Sequence, residues 1–394
     1  MATERHYRRS LAEIDLRRIK DNFIRFREAK APGAFICPMV KANAYGHGAT
    51  HVAKALRSAG AKYLGVALVE EGEELRRAGD RDPILVFGPV DREAAETVVR
   101  ESLTVVVSEW DHLDVIEQAR NQLGETRVSV HAEFNTGMNR LGFEVNEAAK
   151  VREWFKANSN MKLEGICTHL LRGDDAGADE GESATQLRRF YEVSQAFSDM
   201  PALIRHGLNS SAVINLVGQT QASDPKFFEF VTSLGARPGI GLYGYGGKND
   251  EGHTLGLKPV MSLRTHIISL HRVAKDARVS YGPTWKAPRE SLIGVLPFGY
   301  ADGYRRGLTN KSSVLYNGHR VPQVGTVCMD YFMIDLTDVE SKLKVPAKVG
   351  DEVFLMGEQG TERITADNLA EWAGTISYEI LTGIGKRVPR VFLG

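Results

Sequence analysis

A lysine stands where an apolar run gives way to a glycine-punctuated turn. Phe35-Ile36-Cys37-Pro38-Met39-Val40 is short enough to be one buried strand, and Lys41-Ala42-Asn43-Ala44-Tyr45-Gly46-His47-Gly48 follows it. A lysine at a strand end can be a plain solvated terminus. It can also be an amine poised by partial desolvation to hold a carbonyl cofactor such as pyridoxal 5'-phosphate (PLP) as a Schiff base. That second chemistry needs a phosphate site, a partner for a ring nitrogen and a second proton carrier. Four further polar clusters follow apolar runs: Asn135-Thr136-Gly137-Met138-Asn139-Arg140, His169, Asn209-Ser210-Ser211 and Arg237-Pro238-Gly239-Ile240. Each has a plain alternative: Arg140 a solvated cation, His169 a satisfied core histidine, Asn209-Ser210 a helix cap, Arg237-Pro238-Gly239 a turn.

The elements that must position these residues follow from periodicity. Apolar runs at 35–40, 63–69, 84–87, 103–107, 128–134, 163–171, 203–208 and 234–242 alternate with charged amphipathic segments of helical length. Helix-length connections favour parallel strands, and eight repeats of this size predict a (β/α)8 TIM barrel over residues 10–245. An open, doubly wound sheet is the competing architecture. In a barrel the active site is built from the loops after the strands, where all five polar clusters fall, and phosphate commonly binds after strands seven and eight. Ser210 and the backbone of Gly239 and Ile240 can supply that cradle, with Tyr45 adding a phenolic donor. Upstream, spacing predicts a helix from Ser10 to Glu28. Downstream, β-branched runs with Gly, Pro and Asn turns, including the hairpin signal Tyr316-Asn317-Gly318-His319, predict a mostly β C-terminal domain over 246–394. One helix, 365–372, interrupts it before Gly374, and the glycine-rich stretch 244–252 marks the boundary.

Composition narrows the classes. Lys and Arg number 50 and Asp and Glu 50, so no global field points to nucleic acid or an anionic membrane. Cys37, Cys167 and Cys328 lie far apart without metal-ligand spacing and read as reduced thiols, so no metal is expected. A polar N-terminus and the absence of eighteen consecutive apolar residues predict a cytoplasmic protein.

Taken together, the motifs resemble those of the alanine racemase family, PLP enzymes of fold type III. The matching stretches include 40–48, Thr136-Gly137-Met138-Asn139-Arg140-Leu141-Gly142, Thr168-His169, Arg237-Pro238-Gly239-Ile240, Val279-Ser280-Tyr281-Gly282, 299–304, Gly325-Thr326-Val327-Cys328-Met329-Asp330 and Ile376-Ser377-Tyr378-Glu379. The resemblance implies a barrel followed by a β domain that also takes in residues 1–9. It further implies a head-to-tail homodimer with shared active sites, acting on a small amino acid. Lys41 would hold PLP and act as base on one face of the substrate Cα. Tyr281, from the partner subunit, would act on the other. Inverting a stereocentre through a planar carbanion needs an acceptor on one side and a donor on the other. Arg237 would face the pyridine nitrogen and keep it unprotonated, favouring reprotonation at Cα over transamination.

Other roles are carried over likewise. Arg140 lies near the cofactor phenolic oxygen and the substrate carboxylate, and His169 joins the cofactor arginine to the catalytic tyrosine. Met329, again from the partner subunit, would offer its N–H to that carboxylate. Tyr45, Ser210, Gly239, Ile240 and Tyr378 match the phosphate set, with Asn209 counted as cofactor-binding beside them, while Tyr300 and Tyr378 line or narrow the pocket. Two positions depart from the pattern. Many members carry a carbamylated lysine where this chain has Glu133, and an Asp where it has Asn135; Glu133 is expected to supply the arginine-orienting anion directly. The loop 172–180 is also longer and richer in Gly and Asp. The expected activity is interconversion of L- and D-alanine, supplying D-alanine for peptidoglycan. A serine or broad-specificity racemase is the near alternative, and a noncatalytic PLP-binding homeostasis protein or a fold-related decarboxylase a more distant one.

Overall fold

Seven of the eight short apolar runs become parallel strands, and the first joins them through two parallel bridges. The computed structural model describes residues 8–125, 127–173, 175–176, 180–217, 223–246, 255–343 and 346–394. Seven strands pair in chain order: Leu64–Val66, Ile84–Val86, Thr104–Val107, Val128–Asn135, Met161–Cys167, Ile204–Leu208 and Gly235–Ala236. The run 35–40 closes the ring through parallel bridges from Met39 to Gly65 and from Ile36 to Ala236. The second to fourth of these eight are buried at every position, as expected when a parallel sheet is covered on both faces. Helices including Val69–Arg77, Arg92–Arg100, Trp110–Leu123, Ala148–Ala157 and Glu182–Ala196 supply the crossovers. The closed ring decides against the open sheet.

Inside the ring the pleat places alternate residues toward the axis. On the first strand Phe35 packs on Tyr63 (ring centroids 4.8 Å) and on His206 (4.9 Å). Two glycines make room for these rings. A Cβ on Gly165 would lie 2.4 Å from His131 Nδ1, and one on Gly235 would lie 2.7 Å from Phe35 Cδ1. The interior is thus a stack of side-chain layers rather than a channel.

The chain's described residues form two compact units: those of 18–44 with 49–258, and 8–17 with 45–48 and those of 259–394. The second is built on a ten-stranded sheet. Its order is Ser269–Val273, Ser291–Leu296, Phe332–Asp335, His319–Val324, Ser313–Tyr316, Glu352–Gln359, Met261–His266, Leu11–Asp15 and Arg390–Leu393, with Glu362–Ile364 paired to Glu352–Gln359. Asn317 and Gly318 turn the expected hairpin with φ of 48° and 76°, the left-handed pair that two-residue hairpins favour. Helix Ala366–Ala373 is capped by the Thr365 side chain and ended by left-handed Gly374.

The helix expected from Ser10 is corrected at its start. Leu11–Asp15 is a strand, and the helix is Leu16–Glu28. Burial alternates along the strand, with Ala12 and Ile14 inward. It pairs antiparallel with Met261–His266 and parallel with Arg390–Leu393, so partners distant in sequence outweigh the local helical spacing. Residues 1–7 and 247–252, on which the terminal-packing and boundary expectations fall, lie outside the described residues, as do 174 and 177–179 of the loop 172–180.

Candidate active site

Lys41 follows the first barrel strand and opens a turn of opposite hand to an α-helix. Ala42, Asn43, Ala44 and Tyr45 have φ of 51°, 54°, 54° and 52°. For residues with a Cβ this conformation costs about 1–2 kcal/mol each, so other contacts must hold it. The Ala44 N–H donates to Val40 O (2.8 Å), and Asn43 Oδ1 accepts from the Ala49 N–H (2.8 Å). Glu71 is the main brace. Its Oε1 accepts from the Ala42 N–H (2.5 Å), while Oε2 accepts from the N–H groups of Ala67 (2.8 Å) and Leu68 (3.1 Å), tying the loop after strand one to that after strand two. Lys41 itself is half-buried, and its pKa falls below the usual lysine value through desolvation and the positive charges of Arg140 and Arg237, opposed by Glu71. An amine so placed is more nucleophilic at neutral pH than a solvated lysine.

Arg237, at the end of the eighth strand, is buried. Its Nη1 donates to His206 Nδ1 (2.6 Å), and Nη2 donates to Thr168 O (2.8 Å) and His169 Nδ1 (3.1 Å). The guanidinium also lies over the Phe87 ring, 5.4 Å from its centroid. Because arginine only donates, both histidine Nδ1 atoms must accept. One N–H on Nη1 and the Nε–H remain for a further acceptor, which is the chemistry required at a pyridine nitrogen. Desolvation, then the charges of Arg237, Arg140 and Lys41, push the His169 pKa down to about 3. His206 is depressed in the same direction by burial and by Arg237.

The loops after strands seven and eight are joined by one hydroxyl. Ser210 Oγ accepts from the N–H groups of Gly239 (2.9 Å) and Gly241 (3.1 Å). Gly239 is therefore already engaged, and the Ile240 N–H between them, with the Ser210 hydroxyl, is what remains for an anion. Asn209 caps helix Ser210–Leu216 by accepting from the Ala212 N–H (2.9 Å), a structural task.

Glu133 is buried on the fifth strand, on the same face as His131 and Asn135. Desolvation raises its pKa, and Arg237, then Arg140, oppose that rise. Arg140 is exposed, and among the described residues neither makes an ion pair with the other.

The remaining expected residues belong to the other unit. Tyr281 is 73% exposed, yet its backbone is fixed: Ser280 takes φ of 69°, its hydroxyl donates to Thr326 O (2.6 Å), and the Thr326 hydroxyl donates to Tyr281 O (2.7 Å). Tyr300 and Met329 meet through backbone, the Tyr300 N–H donating to Cys328 O (3.1 Å) and that of Ala301 to Met329 O (3.0 Å). A Cβ on Gly299 would lie 2.2 Å from Met329 O, so only glycine permits this approach. Tyr45 is buried, with its ring centroid 6.0 Å from that of Tyr378.

Two contributors were not anticipated. His206 sits inside an apolar strand and reads as core; Glu71 reads as one charge of an amphipathic helix. No spacing signal identifies either. The buried neutral histidines do imply a pH dependence. The unfolded chain takes up protons near the ordinary histidine pKa of 6.5, whereas folded His169 resists to about 3. Their contribution is thus complete above about pH 6.5 and is lost as pH falls toward 3. The urea midpoint is expected to drop between about pH 7.5 and 5, before ordinary carboxylates titrate; a constant or rising midpoint contradicts it.

Comparison with known proteins agrees with this geometry. Residues 14–246 match the family model of the alanine racemase N-terminal domain, and residues 260–392 that of the C-terminal domain. The chain is 38% identical to alanine racemase 1 of Clostridium acetobutylicum, covering 99% of this chain and 96% of that protein. It is also 38% identical to the alanine racemase of Halothermothrix orenii, covering 97% and 96%. Among solved structures it resembles the alanine racemase of E. faecalis (TM-score 0.86, 31% identity, 98% and 99% covered). It also resembles that of Bartonella henselae, solved with covalently bound pyridoxal phosphate (TM-score 0.81, 28% identity, 98% and 99% covered). The chain belongs to the alanine racemase family.

Proposed function

We propose that this protein is a PLP-dependent racemase interconverting L- and D-alanine. The observation that carries this reading is the gathering, in one barrel, of a desolvated lysine, a buried arginine with N–H groups to spare and a hydroxyl-braced loop pair. These residues fit the cofactor. Lys41 would bond its carbonyl carbon, Ser210 and Ile240 would hold its phosphate, and Arg237 would meet its ring nitrogen; the family resemblance adds Tyr45 and Tyr378 to the phosphate set. When bound, PLP supplies an electron-withdrawing ring that makes the substrate Cα–H acidic.

The chain's own residues then direct the proton. Lys41 Nζ accepts it from one face, and Tyr281 Oη of the partner subunit delivers one to the other; the reverse reaction exchanges their roles. Arg140 and, from the partner subunit, the Met329 N–H take the substrate carboxylate, and Tyr300 narrows the approach. Glu133 supplies negative charge near Arg140. A second copy is implied because Tyr281 is largely exposed on a fixed turn, lining one open cavity with exposed Tyr331, a surface suited to burial against another chain. The barrel is the PLP domain and the β unit the part that reaches across. Among the described residues no helix is long and apolar enough to cross a membrane. A cytoplasmic enzyme supplying D-alanine to peptidoglycan accords with that.

Lys41→Ala is expected to abolish racemisation together with the visible absorbance of bound PLP; survival of both removes Lys41 from the reading. Tyr281→Phe is expected to slow turnover by about 10² to 10⁴ while that absorbance persists. Full activity in both directions would exclude Tyr281 as a proton carrier. If Glu133 orients Arg140, Glu133→Gln raises KM for alanine, and an unchanged KM refutes that role. Assays of serine alongside alanine decide between the narrow and the broad activity.

A further inference from the structure

Beneath Arg237 the hydrogen-bonded chain continues one residue further into the barrel than the proposed chemistry requires. His206, which accepts from Arg237 through Nδ1 at 2.6 Å, places its Nε2 2.8 Å from His131 Nδ1. Both imidazoles are 0% exposed, and their ring centroids lie 5.0 Å apart. The protons on this chain can be assigned by elimination. Arginine donates only, so His206 Nδ1 is bare. Were His206 Nε2 bare as well, the ring would be an imidazolate, which burial does not permit. His206 therefore carries its one proton on Nε2 and gives it to His131 Nδ1. His131 must then keep its own proton on Nε2.

That last N–H has no hydrogen-bond partner among the described residues. A phenylalanine or leucine would fill the same space without an orphaned donor, so packing alone does not account for a histidine here. The surroundings hold the pair in register. Phe35 packs on both rings, at 4.9 Å from His206 and 6.1 Å from His131. Gly165 gives His131 its place, since a Cβ there would lie 2.4 Å from Nδ1 and 2.9 Å from Ile204 O.

We propose that His131 is a positioning residue: by accepting from His206 Nε2 it fixes the His206 tautomer, so that Nδ1 faces Arg237 as an acceptor and aims the guanidinium at the cofactor ring nitrogen. The inference rests on the reading of Arg237 given above. Without an acceptor at 131, His206 is free to carry its proton on Nδ1, where it opposes the arginine N–H and displaces the guanidinium. A displaced Arg237 lets the ring nitrogen take a proton, which strengthens the electron sink and diverts turnovers from racemisation to transamination.

The test compares wild type, His131→Phe and His131→Asn as full chains, with and without PLP. Asparagine is the conservative variant because its Oδ1 can stand where Nδ1 accepts. Imidazole 15N NMR reads the tautomers directly. Wild type and H131N are expected to show His206 protonated at Nε2 and bare at Nδ1, and H131F to lose that single tautomer. In the loaded enzyme, H131F is expected to raise the fraction of turnovers lost to transamination by about tenfold or more, on the scale at which a misplaced group acts, with H131N close to wild type. A His206 tautomer unchanged in H131F, or a protonated Nδ1 in wild type, overturns the proposal. A tautomer that changes while the partition does not overturns instead the assignment of Arg237 to the ring nitrogen. Should H131F not fold, the wild-type spectrum and H131N still decide the first point.

Discussion

A cation that cannot give up its proton, buried at the end of the eighth barrel strand, sets the chemistry of everything around it. Among the described residues Arg237 has acceptors rather than a carboxylate at hydrogen-bonding distance: two imidazole nitrogens and the Thr168 carbonyl. It therefore keeps its charge uncompensated at close range, and that charge acts on its neighbours in one direction. Burial is the larger cause in each case; the charge adds to the lowering of His169, His206 and Lys41, and it opposes the rise that burial imposes on Glu133. A residue that titrated could not impose these states across a range of pH. The cost of burying such a group is tolerable only where acceptors and an aromatic face replace water, and the barrel interior supplies both.

The second constraint is geometric. Lys41 leaves a strand and enters four successive left-handed residues, a conformation that neither alanine nor tyrosine favours. Strain of this kind persists where the surroundings over-determine it. Here one carboxylate, Glu71, holds N–H groups from two loops, and Asn43 ties the turn to the helix Ala49–Ser58. The lysine is consequently carried by a braced element and not by a free loop, which suits the role proposed for it, holding a cofactor and moving a proton.

Much of this was legible in residue types and spacing. The barrel follows from eight apolar runs set apart by helix-length segments, and the hairpin at Asn317-Gly318 from its turn chemistry. Lys41, Ser210 and Arg237 stand out because polar groups at strand ends break an apolar pattern. What could not be read was anything decided by a partner distant in sequence. Leu11–Asp15 has spacing compatible with helix and becomes a strand through pairing with residues near 261 and 390. His206 and His131, 75 residues apart, each look like core until the ring brings them to 2.8 Å. Glu71 carries no signal at all, since its role is to accept from backbone. Gly239 stands out as part of a candidate phosphate loop, but its engagement by Ser210 depends on a contact across 29 residues.

Under the proposed function, one site draws Lys41 from one chain and Tyr281 from another. Mixing Lys41→Ala and Tyr281→Phe proteins, each nearly inactive alone, tests it directly after subunit exchange. If sites are shared, every hybrid dimer contains one site with both residues intact, and equal mixing restores about a quarter of wild-type activity, half the dimers being hybrid with one good site of two. If each chain used its own tyrosine, every site in the hybrid would still lack one residue. Activity no higher than the mean of the separate variants, with exchange verified, would contradict the account.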